Sequence, residues 1–427
     1  MRSDVRLVRL DGIARINPLR RVAKGEPVPF VEMAALPQHT RDIALRDVSL
    51  RTAKGAGAHF QNGDTLLARI TPCLENGKTA QVRCLSVGLV GEGSTEFIVL
   101  SGSDPADNDF IYYLCRDPSF REYAIGRMEG TSGRQRVAWQ SVAAYQFFCP
   151  EPGLRRSAAR LLSALDDRID LLRQTNATLE SIAQALFKSW FIDFDPVRAK
   201  AEGREPEGMD AATAALFPSE FEESELGPIP KGWRVGDVYQ VADVRYGAPF
   251  ASKRFNTDGN GLPLVRIRDL KDEAPGVWTL EVHPKGCKIR PGDIVVGMDG
   301  EFRAYLWGGE VAWMNQRICM FAPTNGHSAA FVMSAIAAPL AHVEATETAT
   351  TVIHLGKADI DRFRIVVPTP DVARAFGAFC QPLYNRIVAA KQSMRALGGV
   401  RDALLPRLIS GSLRIPEALE AAESVLA

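Results

Sequence analysis

The sequence predicts an α+β protein made of a duplicated half: a globule of short strands, a long helix, a linker, then a second globule and a second copy of the helix. Three observations predict this. Leu162, Ile169, Asn176, Ala183 and Trp190 fall at heptad position a of one stretch from Gly153 to Phe191, with Ala158, Leu165, Leu172, Leu179 and Leu186 at d. An a/d seam held over this length is a coiled-coil signature, and a single polar a residue such as Asn176 is a device that fixes register. The stretch then recurs between Val372 and Gly411. At one constant offset Arg168 meets Arg386, Ile169 meets Ile387, Gln174 meets Gln392, Leu179 meets Leu397, Ala185 meets Ala403 and Leu186 meets Leu404, while Pro150 and Pro368 precede the two helices. Finally, Asn62-Gly63-Asp64-Thr65-Leu66-Leu67 in the first globule parallels Pro291-Gly292-Asp293-Ile294-Val295-Val296 in the second. A repeat with a period this long marks a duplicated half-molecule rather than a solenoid.

In order, residues 1–152 form the first globule. Val5–Leu10, Pro29–Met33, Asp64–Ile70, Lys78–Cys84, Glu96–Leu100 and Gln146–Cys149 read as strands between Gly, Asn and Pro punctuation. Phe110–Cys115 and Pro118–Met128 read as helical, and Gly130–Trp139 as a Gly/Ser loop carrying Arg134 and Arg136. The central helix takes 153–193. Residues 194–232, rich in Pro, Gly and Glu, read as a linker with a helical turn near Ala211–Phe217. The second globule is 233–370, with Leu264–Leu270 as an alternating strand and Glu347–Thr351 where the first globule has its Gly/Ser loop. The second helix takes 371–411 and a tail 412–427. Leu165, Ile169, Leu172, Asn176, Leu179 and Leu186 are expected to pair with Leu383, Ile387, Leu397 and Leu404 of the second copy. A helix of about 38 residues is about 57 Å long, and the seam needs a partner of similar length.

Composition bounds the function. The 427 residues are 46% hydrophobic and 24% charged, as in soluble globular proteins, with enough chain for two cores. No run of eighteen apolar residues occurs, so no membrane span is expected, and the N-terminus has no apolar signal region. Seven scattered cysteines without a CxxC pair point to free thiols in a reducing cytoplasm and, with six histidines that lack ligand spacing, against a metal site. Net charge is zero. Residues 1–150 carry 19 basic and 16 acidic residues, 196–232 carry 4 and 8, and 233–370 carry 15 of each. A DNA-binding face would therefore be local, or shared with a more basic partner.

Catalytic motifs fall away one by one. Gly77-Lys78-Thr79 resembles the end of a P-loop, but Pro72 stands where the loop needs its first glycine. Asp64, Glu75 and Lys78 loosely resemble a nuclease's acidic cluster, yet Glu75 and Lys78 are spaced wrongly for one face of a strand, and the second half has no equivalent. Asn17-Pro18-Leu19 is the nearest approach to an Asn-Pro-Pro-aromatic methyltransferase motif, and no glycine-rich cofactor loop accompanies it. No nucleophile motif stands out. A non-catalytic chain without a cofactor is expected.

The residues also carry a family resemblance. LESIAQALFKSWFIDFDP from Leu179 to Pro196, the linker ending LGPIPKGW at Trp233, and LLPRLISGSLRI from Leu404 to Ile415 resemble the specificity (S) subunits of type I restriction–modification enzymes. GDIVVGMDGEFRAYLWGGEVAWMNQRICMF, Gly292 to Phe321, is similar to stretches of that family's target recognition domains. The resemblance covers essentially the whole chain. It implies two target recognition domains held apart by an antiparallel pair of conserved helices, each domain reading one half of a bipartite site in double-stranded DNA. It further implies two methyltransferase (M) subunits, restriction (R) subunits, and a chain that serves an adenine-N6 methyltransferase and endonuclease complex without catalysing either step itself.

Arginine suits bidentate contact with guanine, glutamine suits adenine, and lysine serves phosphate. On that basis Arg69, Lys78, Arg134, Gln135 and Arg136 are candidate DNA contacts in the first globule. Lys253, Arg254, Arg266, Arg268, Lys271, Arg317, and Arg303 with Tyr305 in a Gly300–Gly308 turn, are candidates in the second. The Trp190–Asp195 segment is either an M-subunit docking surface or an aromatic cap of the coiled coil. The competing reading of the whole chain is a coiled-coil scaffold that binds proteins and reads no DNA, a reading that the neutral charge favours.

Overall fold

The computed structural model describes residues 5–131, 133–346 and 353–426, and divides into two compact units. Unit 1 comprises residues 1–170 and 394–427, and unit 2 residues 171–393. The architecture is α+β.

In unit 1, Val5–Arg9 pairs antiparallel with Gln146–Pro150. An antiparallel sheet follows in the order Ala14–Ile16, Phe97–Gly102, Thr65–Ala68, Thr79–Gln81. A second sheet runs Val48–Thr52, Pro27–Val31, Val90–Gly93, Ala58–Gln61, and its middle pair is parallel. Thr65–Ala68 and Phe97–Gly102 are buried along their whole length, as the apolar runs in their sequence require. Phe60, Leu66, Val82, Phe97 and Val99 make the core between them.

Unit 2 repeats this plan. Arg234–Asp237 pairs with Arg364–Val367, and the antiparallel sheet runs Ala242–Tyr246, Ile318–Pro323, Ile294–Gly297, Ala304–Leu306. Its other sheet keeps one parallel pair, Leu262–Val265 with Ala312–Met314, and gains a strand, Phe255–Asn256. The turn shared by Asn62-Gly63-Asp64 and Pro291-Gly292-Asp293 is the same object in both units. Gly63 and Gly292 sit at φ 93° and 96°, where a side chain is strained. The aspartate after each accepts a hydrogen bond from the backbone N–H three residues back, Gln61 to Asp64 and Arg290 to Asp293, both at 2.7 Å.

The units differ in their helices. In unit 1 the Asp117 side chain caps Pro118–Ile125 by accepting from the Ser119 N–H, which divides this helix from Asn108–Arg116. In unit 2 one helix, Ala329–Thr346, runs through Pro339. That helix is long and apolar enough, by length and composition, to cross a membrane. It buries one stripe, through Val332, Ile336 and Leu340, in the unit 2 core, as a core helix of a globular unit does.

The long helices run Pro152–Phe191 and Pro370–Ile409, 40 residues each. All five predicted a residues of the first, Leu162, Ile169, Asn176, Ala183 and Trp190, are buried. Trp190, Phe191 and Phe194 are core residues, packed with Phe376, Phe217 and Trp233. The Pro/Gly/Glu-rich stretch after the first helix also packs. Lys200 Nζ donates to the Ala214 carbonyl at 3.1 Å and to that of Phe217, and Phe217, Ile229 and Trp233 enter the unit 2 core.

Two local expectations are corrected. The strand predicted over Leu264–Leu270 ends at Val265, because the Asp269 carboxylate accepts from Arg266 N and Nε and turns Ile267–Asp269 into a 3-10 helix. Tyr305 lies in a strand, paired with Val295, rather than in a turn. The loop expected at Glu347–Thr351 lies outside the described residues.

The repeated turn yields a graded prediction. Gly292→Ala should cost about 1 kcal/mol, the penalty of a left-handed residue, since its Cβ meets nothing within 4 Å. Gly63→Ala should cost more, because its Cβ would lie 2.7 Å from Asn108 Nδ2. Asn108 is held in place where its Oδ1 accepts from Gly102 N at 2.7 Å. Urea unfolding of the two variants tests this; equal midpoints would show that Asn108 yields.

Candidate nucleic-acid interface

Unit 1 gathers all five of its candidate residues at one sheet end. Beyond Thr65–Ala68 the chain enters Arg69, whose N–H donates to the Glu96 carbonyl at 3.0 Å and whose carbonyl accepts from Val137 N at 2.9 Å. Thr71 N donates to the Gln135 carbonyl at 3.0 Å, and Gln135 N returns a bond to Thr71 Oγ1 at 2.8 Å. The loop that follows Gly130 is thus stitched to the strand end, with Arg134 exposed at its rim. Arg136 places Nε and Nη2 on the Glu96 carboxylate at 2.9 and 2.6 Å, and this acid raises its pKa further. Lys78 joins through its backbone, accepting from Ala68 N at 3.1 Å, while its Nζ donates to the Met33 carbonyl at 2.8 Å. Glu96 was missed by the sequence reading, because nothing local ties an acid to an arginine forty residues later.

Unit 2 spreads its candidates over two places. Arg317, at the corresponding sheet end, lies 3.6 Å from Asp299 and 3.1 Å from the His354 ring, and His354 Nδ1 lies 2.7 Å from Asp299. Arg303 is ion-paired with Glu301 nearby, and Tyr305 is half-buried on the adjacent strand. The second group borders the other sheet. Arg254 is 3.9 Å from Glu281, Arg266 is engaged by Asp269, and Lys253, Arg268 and Lys271 are exposed.

The residues expected to pair the long helices differ in burial. Leu165, Ile169, Asn176, Ile387, Leu397 and Leu404 are buried, and Leu172, Leu179, Leu186 and Leu383 half-buried. Contacts between the helices fall on Asp166 with Arg401, Asn176 with Ile387, Phe187 with Phe376 and Trp190 with Phe379. Within unit 2, position rises from Asn176 to Phe187 on the first helix as it falls from Ile387 to Phe376 on the second.

No family model matches the chain. It is 24% identical over 375 residues to the type I restriction enzyme HindI specificity subunit of Haemophilus influenzae, covering 75% of this chain and 81% of that protein. It is also 24% identical over 327 residues to the MjaIX specificity subunit of Methanocaldococcus jannaschii, across 74% and 71% of the two chains. The chain is a homologue of type I restriction enzyme specificity subunits. The crystal structure of a type I restriction–modification S subunit from M. genitalium shares the fold, with a TM-score of 0.53 at 14% identity over 96% of this chain and 97% of the other.

The helix contacts are sealed by buried polar groups. Within unit 1 the Asp166 carboxylate accepts from the Tyr113 hydroxyl and from Arg401 Nη1, both at 2.6 Å. Burial pushes the Tyr113 phenol up, and the adjacent Asp166 carboxylate adds to the shift. Burial works against the Arg401 charge, but Asp166 and Asp402 outweigh it and raise its pKa. Arg41, almost wholly buried, holds Asp42 and Asp167 in the same way. Within unit 2, Asn176 Nδ2 donates to the Ile387 carbonyl at 3.4 Å, and Lys391 Nζ binds Glu273 at 2.8 Å and the Leu306 carbonyl at 2.7 Å.

Removing the acid from the first of these networks should be costly. Asp166→Ala leaves a buried guanidinium and a buried phenol short of a partner, a loss of about 3 kcal/mol. Thermal unfolding of the full chain checks it. A change within a few tenths of a kcal/mol would mean that Asp402 and water replace the carboxylate.

Proposed function

We propose that this chain is the DNA-specificity subunit of a type I restriction–modification complex. Residues 1–152 and 233–370 act as two target recognition domains, each reading one half of a bipartite site in double-stranded DNA. The two long helices pair as an antiparallel coiled coil, and their length sets the spacing of the half-sites, as dimer geometry does in other DNA readers. Two M subunits and the R subunits assemble on the chain and supply the chemistry, in the cytoplasm. The chain itself reads and scaffolds.

The observation that carries this reading is the repetition of one sheet topology in the two units, each copy followed by a 40-residue helix with a buried heptad seam. Opposed numbering of the inter-helix contacts supports the antiparallel pairing, and the specificity-subunit homologues support the role. Zero net charge is compatible with it, because arginines gather at one sheet end in unit 1 and at two places in unit 2, and a methyltransferase partner would add its own contacts to phosphate.

Co-expression with the cognate M subunit, followed by mapping of methylated adenines in host DNA, should reveal a new split motif of two short half-sites around a fixed gap. A complex that forms but methylates no new motif would favour the coiled-coil scaffold that reads no DNA.

A further inference from the structure

Glu96 and Arg136 in unit 1 occupy the same two places in the repeated topology as Arg317 and His354 in unit 2. The backbone bonds establish this. Arg69 N to the Glu96 carbonyl at 3.0 Å matches Met298 N to the Arg317 carbonyl at 2.9 Å. Val137 N to Arg69 O at 2.9 Å matches Leu355 N to Met298 O at 2.8 Å. Isolated bridges join Ile70 to Arg136 and Asp299 to His354. The hydrogen-bonded frame is retained while every side chain on it is exchanged. Ile70, Glu96 and Arg136 become Asp299, Arg317 and His354.

One feature survives the exchange. Each site presents a partly exposed arginine steadied by a carboxylate from a different strand or loop: Arg136 by Glu96, and Arg317 by Asp299 with His354 alongside. Glu96 takes Nε and Nη2, one side of the planar guanidinium, and the Arg134 carbonyl accepts from Nη1 at 3.3 Å. A guanidinium has five N–H groups, so the forward fork, one N–H on each Nη, remains for an outside acceptor pair. That fork matches the N7 and O6 edge of guanine, and an arginine already held in place loses little freedom on binding.

We propose that Arg136 and Arg317, from different places on the shared frame, are specificity-determining residues, each reading a guanine in the half-site of its own unit, with Glu96 and Asp299 as positioning residues. The assignment rests on the reading given under Proposed function and narrows the thirteen candidate contacts to one place per unit.

The test uses the full chain assembled with its methyltransferase subunit and reads the methylated motif. Arg136→Ala should relax a single guanine position in one half-site, lowering discrimination there roughly tenfold to a hundredfold, and leave the other half-site unchanged. Arg317→Ala should do the same in the opposite half. Arg136→Lys and Arg317→Lys, which keep the charge, should relax the same positions while the complex is recovered at wild-type yield. Glu96→Gln should relax the Arg136 position more weakly, an effect that a purely structural carboxylate would not confine to one base. Unchanged motifs, losses spread over both half-sites, or failure of both arginine variants to recruit the methyltransferase subunit would each overturn the assignment. In the first of these cases the wild-type split motif would still stand, and with it the broader reading. A wild-type complex that makes no split motif would instead remove that reading.

Discussion

Burial every seventh residue along Pro152–Phe191 is the constraint on which the rest depends. Leu162, Ile169, Asn176, Ala183 and Trp190 all lie under 7% exposed, and Leu165 and Phe187 are buried beside them. A helix of this length draws its stability from packing an apolar stripe rather than from propensity, so the stripe must be covered from end to end. The two compact units divide the work. Residues through Asp170 belong to unit 1 and residues from Leu171 to unit 2, and the polar a residue Asn176 stands just past that division. Its amide reaches a main-chain carbonyl on the facing helix, a bond that an aliphatic residue in a slipped register would not replace.

Around that seam the fold conserves backbone bonds and varies side chains. The glycine–aspartate turn, the strand order and the parallel pair in the second sheet recur in both units. Where the units diverge, the cause is local. Asp117 and Pro118 start a new helix in unit 1, because the side chain of one caps and the ring of the other fits the first turn. Pro339 in unit 2 has no such cap before it, and the helix continues.

The periodic parts of this structure were legible in the sequence. A heptad stripe and a constant offset between two copies are properties of long windows, and the six strands expected in the first globule lie within a few residues of strands in the structure, whereas Ala14–Ile16, Val48–Thr52, Ala58–Gln61 and Val90–Gly93 were not foreseen. What the sequence hid was set by contacts between distant residues. The Arg266–Asp269 capping pair stopped a strand that alternation alone would have extended. Composition marked 194–232 as a linker, yet Phe217, Ile229 and Trp233 give it a core to join. At the candidate DNA-facing sites, counting arginines located Arg136 and Arg317 but not the acids that steady them. Glu96 and Asp299 acquire that role only when the strands are paired.

Unit 1 is assembled from the two ends of the chain, residues 1–170 and 394–427, whereas unit 2 is one continuous segment. On the ribosome, unit 2 therefore has all its residues available before unit 1 does. The part of unit 1 that comes from residues 394–427 is made last, and Asp166 lacks Arg401 until then. A chain cut short after Ser393 would damage the domain made first rather than the domain nearest the cut.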